Sequence, residues 1–172
     1  MRAHHDQITS GIFVANRTRL VALWKNLRGQ LDRELSDLQQ LQLVCGFWSH
    51  APISRYVLNW DDPTGWPDPW SLMDRADFDE SAVSLAMQYT LLLGADQRWT
   101  ADRLQLVLAT DPQRCLQQIM LVVDSRWLLN WEYLRVADWC EVRPNLHIHQ
   151  RYSYNKRQHT MVERVSSQEK TS

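Results

Sequence analysis

Apolar residues recur at spacings of three, four or seven along the first quarter of the chain. Leu20, Trp24, Leu27, Leu31, Leu38, Leu41 and Cys45 form the seam, with Arg, Lys, Glu, Asp and Gln between them. The period predicts one long amphipathic helix from Arg19 to about Cys45, interrupted only by Glu34, which Leu35 flanks. Two packings fit such a stripe: against the chain's own domain, or as a coiled-coil seam with another chain. Met1–Thr18 shows no clear period and reads as an arm.

The period collapses between Gly46 and Asp77. Pro52, Pro63, Pro67, Pro69 and Gly65 exclude a long regular element there. The same stretch carries Trp48, Trp60, Trp66 and Trp70, so it reads as an irregular strap pinned down by its rings. Asp77 or Asp79 then caps a helix from about Glu80 to Leu93, stopped by Gly94. It is apolar on most sides and belongs in the centre of a domain. Leu104–Ala109, Ile119–Val123, Trp127–Trp131 and Leu146–Tyr154 carry strand patterns, and Leu134–Glu141 suggests a short helix. The order predicts an α+β domain over 19–165. Its parts are a long N-terminal amphipathic helix (19–45), an aromatic-rich strap (46–77), and a central apolar helix with a small antiparallel sheet (78–165). A flexible tail (166–172) follows.

Composition narrows the function classes. With 172 residues and a net charge of -1, the chain is one ordinary domain with no overall drive toward nucleic acid or anionic membrane. No apolar run approaches a bilayer-spanning length. Cys45, Cys115 and Cys140 are odd in number and far apart, which argues against a disulfide framework or a zinc site. Only five glycines are present, and neither phosphate-cradling glycine motif occurs. Charge is nonetheless uneven. Leu58 to Asp102 holds nine acidic residues against two basic ones, whereas Arg151 to Ser172 is basic. Opposite patches of this kind suit copies meeting head to tail.

A central helix followed by antiparallel strands resembles the papain-like and transglutaminase-like cysteine hydrolases. In that family a cysteine opens the central helix, a histidine starts the next core strand, and an Asp or Asn on the neighbouring strand orients it. The resemblance covers about Trp66 to Trp131 and rests on element order. It implies Asp79 or Ser81 at the nucleophile position, Gln117 or Gln118 at the histidine position, and Asn130 at the orienting one. Glutamine accepts no proton near neutral pH as imidazole does. Such a core is expected to be degenerate.

"WPDPWSL" followed by "FDESAVSLAMQYTLLLG" also resembles small structural or assembly proteins of tailed bacteriophages. That resemblance implies a non-enzymatic virion component of the tail, baseplate or neck, without cofactor or metal. It would contact other virion proteins and copies of itself through Leu20, Trp24, Leu27, Leu31, Leu38, Leu41, Trp60, Trp66 and Trp70. The alternatives are a phage-encoded protein binding a host protein, or a papain-like hydrolase with another nucleophile, Ser81 or Cys115. Weaker constellations have plainer readings. His147 and His149 share a strand face as two metal ligands would, but unpaired surface histidines are commoner. Asp61, Asp62 and Asp68 read as turn formers, His4-His5-Asp6 as part of the arm, and Cys140 as packing.

Overall fold

The computed structural model describes residues 17–54, 58–155, 158 and 160–163. The arm, with His4, His5 and Asp6, and the 166–172 tail lie outside these residues. Five α-helices and six strands form an α+β domain: α1 (Arg17–Gln30), α2 (Asp37–Trp48), α3 (Pro69–Arg75), α4 (Glu80–Leu92), β1 (Leu104–Asp111), β2 (Leu116–Val123), β3 (Trp127–Glu132), β4 (Arg135–Asp138), α5 (Trp139–Val142), β5 (His147–Asn155) and β6 (Thr160–Glu163). The strands make one sheet in the order β4-β3-β2-β1-β5-β6, antiparallel at every pairing. No described helix is long and apolar enough to cross a membrane.

The single helix expected over Arg19 to Cys45 is two. Gly29 weakens the end of α1, and Ser36 begins α2 with a reciprocal capping box. Its hydroxyl accepts from the Gln39 N–H (3.3 Å), while the Gln39 side chain accepts from the Ser36 N–H (2.8 Å). Leu31 lies in the break yet is fully buried, so the apolar period runs on through a segment that is not helical. The seam faces inward. Leu20, Trp24, Leu27, Leu31 and Leu41 are buried within the chain itself, and Leu38 is half-buried. Of the strap tryptophans, Trp66 is buried, Trp60 half-buried and Trp70 exposed.

Helix α4 begins where the sequence indicated, with Asp79 as its cap. Every residue from Ser81 to Leu91 is buried, between α1 and α2 on one side and the sheet on the other. Its Thr90 is a junction for the tryptophans. The hydroxyl accepts from both Trp24 Nε1 and Trp48 Nε1 at 2.9 Å, and donates to the Ala86 carbonyl at 2.7 Å. One hydrogen and two lone pairs are thereby all used. The inner face of the sheet closes this core with Leu106, Leu108, Ile119, Leu121, Leu129 and Tyr152.

Two expectations after the central sheet need correction. Leu134–Glu141 is not one helix: Arg135–Asp138 is strand β4, and Asp138 then caps the short α5. Cys140 is exposed rather than packed. Residues of α5 and the turn after it instead cover the outer face of the sheet, where Trp139 and Leu146 pack on Val107, Met120, Val122 and Leu128. Three elements escaped the sequence pattern: α3, β4 and β6. Asp68 starts α3, accepting from the Trp70 and Ser71 N–H groups, which accords with the turn-forming role expected of it. A hydrogen bond from the Ser71 hydroxyl, first, and those from the backbone hold its carboxyl below the usual carboxylate range.

Candidate functional site: a cleft where two strands part

Strands β2 and β3 pair only from Leu121 to Val123 and from Trp127 to Leu129. Beyond Leu129 they separate, because Asn130 takes a left-handed backbone with φ of 61°. The β3–β4 register shifts over the same stretch, between Leu128 and Glu132. Asn tolerates this conformation better than other residues with a Cβ. A non-glycine residue held there within a strand stores strain that surrounding contacts must impose.

Those contacts come from α4 and are specific. Asn130 Nδ2 donates to the Glu80 carbonyl at 2.7 Å and to Ser84 Oγ at 2.8 Å. Ser84 Oγ, fully buried, donates in turn to the Ile119 carbonyl at 2.7 Å. Where the strands part, side chains stand in for ladder bonds. Gln118 Nε2 donates to the Asn130 carbonyl (3.2 Å), and Arg114 Nη1 donates to the Trp131 carbonyl (2.9 Å). The result is a cleft of about 260 Å³ beside the start of α4. Trp48, Trp131 and Tyr133 give it aromatic walls, Gln118 and Asn130 amides, and Arg114 and Glu80 opposite charges.

The positions implied by element order thus meet, in part. Gln118 and Asn130 both line the cleft. Ser81 is buried in the first turn of α4 and does not line the cleft. Asp79 serves as a cap instead: Oδ1 accepts from the Ala82 N–H (2.6 Å) and Oδ2 from the Leu58 N–H (3.3 Å), tying the strap to the helix start. Burial of this carboxyl raises its pKa against the opposing pull of its hydrogen bonds. Cys115, offered as an alternative nucleophile, is exposed in the β1–β2 turn and does not line the cleft, although its neighbours Arg114 and Leu116 do.

A thiol does lie behind the wall. Cys45 Sγ is 3.9 Å from Ser49 Oγ and donates to the Arg135 carbonyl at 3.4 Å, while the Asn130 backbone also bonds to it. Ser49 and Asn130 are both lining residues, so this sulfur borders the cleft from within the core. It is 1% exposed, and burial pushes its pKa up. That is the environment of an inert thiol rather than an attacking thiolate. The nearby His50 ring packs on Tyr133 at 5.9 Å between centroids, with Nδ1 2.8 Å from the Gly46 carbonyl. Among the described residues, no imidazole lines the cleft. None of them form a group of three His, Cys, Asp or Glu side chains that could hold a metal; His149 is bonded to Thr110 (2.8 Å).

Sequence reasoning missed the residues that shape this cleft most: Ser84, Arg114 and Trp131. Ser84 follows Glu80 by four positions and so shares its helix face, which was a readable signal. Arg114 carried none, since it falls in no period or motif, and Trp131 showed only as the last residue of a strand pattern.

The chain is an α+β domain in which a central helix packs on an antiparallel sheet. Solved structures of LapG from Legionella pneumophila share this fold. The calcium-bound form matches over 91% of this chain and 85% of the LapG chain, with a TM-score of 0.63 and 15% identity. A second LapG structure matches 87% and 82% (TM-score 0.62, 18% identity), and the EGTA-treated form 88% and 82% (0.61, 18%). No family model matches the chain, and no curated protein does. Identities this low establish a shared fold alone. The likeness still overturns the virion reading. The solved structures that share the chain's fold are of a bacterial protein, so the non-enzymatic assignment, the tail, baseplate or neck role and the virion location are all withdrawn.

Proposed function

We propose that the cleft between β2 and β3 holds an extended polypeptide segment, in a domain of the hydrolase type. The carrying observation is the parting of the two strands at Asn130. It sets Gln118 and Asn130 between aromatic walls, at the start of the central helix. Amide groups suit the alternating donors and acceptors of a peptide backbone, and aromatic rings suit its side chains. The buried Cys45 supplies no accessible thiolate, so cleavage in this cleft would draw on a different nucleophile. Ser81, in the first turn of α4, is the hydroxyl at the position element order implies, although, like Cys115, it does not line the cleft.

The test uses a tryptic digest of casein as the probe. NMR titration should move the side-chain amide signals of Gln118 and Asn130 and the Trp131 indole, leaving the buried Trp24 and Trp99 indoles still. Absence of shifts at millimolar peptide would overturn the reading. Mass analysis of the same samples reads bond cleavage. New peptide ends that vanish in Ser81→Ala would assign that serine as the nucleophile.

A further inference from the structure

We propose that Arg114 selects an acidic side chain of the bound polypeptide, an inference resting on the cleft reading above. Among the described residues that line the cleft, Arg114 is the only cation. Two acidic residues share the lining, and one of these, Glu132, is paired with Arg135 at 2.9 Å. The cleft is therefore polarised, with positive charge at the β1–β2 turn and the Glu80 carboxylate at the start of α4.

The guanidinium is held in place before any ligand arrives. Its carbon stands 4.6 Å from the centroid of the Trp131 ring, and Nη1 donates to the carbonyl of the same residue. The turn beneath it is fixed by Asp111, whose Oδ1 accepts from the Gln113 (2.9 Å) and Arg114 (3.3 Å) N–H groups. Asp111 approaches the guanidinium only at 4.0 Å, from its other oxygen to Nε. That distance exceeds a hydrogen bond. Most of the fork's five donors thus have no carboxylate within bonding range among the described residues. A planar, stacked and half-exposed guanidinium of this kind matches the two oxygens of a carboxylate. A lysine would keep the charge but lose both the fork and the stacking on Trp131.

The experiment takes the casein peptide giving the largest shifts and scans Glu, Gln or Lys through each of its positions. At one position, Glu should bind about tenfold more tightly than Gln, and Lys more weakly than either. In Arg114→Gln that preference, read as the ratio of the Glu and Gln affinities, should disappear, and Arg114→Lys should recover only part of it. If no position prefers Glu while the peptides still bind, the role of Arg114 is overturned and the cleft reading stands. Equal loss of all peptides in a folded Arg114→Gln would make the residue merely structural, and overturns the proposal as well. Binding of no peptide by the native protein overturns both.

Discussion

Two hydroxyls on α4 do the same geometrical job in different surroundings. Thr90 joins Trp24, Trp48 and Ala86 in a buried knot, with Trp48 alone backing the cleft from within. Ser84 joins Ile119 and Asn130, but Asn130 turns its other side to the cleft. The first arrangement closes a core. The second extends a core's order outward to a surface, holding a strained strand residue in place. A buried polar junction is thus structural or functional according to where its outermost member points.

The comparison breaks first at Thr90. Thr90→Val keeps shape but strands two indole N–H groups, and should cost about 2–6 kcal/mol at about 1–3 for each orphaned donor. Urea denaturation measures this, and Thr90→Ser should restore most of it. A loss below about 1 kcal/mol would mean the knot carries no weight. Asn130→Ala ranks next. It removes two hydrogen bonds and puts alanine at a φ of 61°, for about 1–3 kcal/mol. Unlike the Thr90 variants, it should abolish peptide-induced shifts at Gln118 while the fold persists.

Smaller effects separate the two caps, Asp79 and Asp68. Burial raises the Asp79 pKa in the folded state, so its contribution is fully present below the ordinary carboxylate pKa and is lost as pH rises through the folded value. Asp79→Asn keeps one accepting oxygen for the Ala82 N–H but sets an amide NH2 against the Leu58 N–H, so it should flatten that part of the stability–pH curve at a small cost in stability at neutral pH. Asp68 has the opposite sign. Its lowered pKa gives stability above the ordinary carboxylate range, lost as pH falls through the folded value, and Asp68→Asn should remove that slope. Last, iodoacetamide should modify Cys115 and Cys140 in the native protein without altering stability, leaving Cys45 untouched until unfolding. Native labelling of Cys45 would open the wall of the cleft to thiol chemistry.

Much of the architecture was legible in local chemistry. Asp79, the apolar α4 and the run from Ile119 to Val123 each agree with their surroundings, so pattern and structure coincide. The break at Leu31 was hidden because a buried leucine keeps the helical period through a turn. Ser36 and Gln39, a capping pair at the proper spacing, were the contrary signal. Asp68-Pro69 similarly announces a helix start, which the prolines around it obscured. Strands β4 and β6 are only four residues each, too short to show a period. For the cleft, element order reached Gln118 and Asn130 but not Arg114 or Ser84. Their meeting depends on two strands parting, a long-range event that no neighbouring residue encodes.

The Thr90 knot also bears on how sequences of this fold can drift. A hydroxyl serving two indoles binds positions 24, 48 and 90 into one heritable unit. Replacing any one by a residue that cannot keep its hydrogen bonds leaves the others mismatched, so divergent relatives should hold a hydroxyl at 90 wherever indoles stand at 24 and 48, or change all three together. Over long separation that coupling would outlast most surface resemblance, and joint substitution at these three positions gives a way to recognise distant kin.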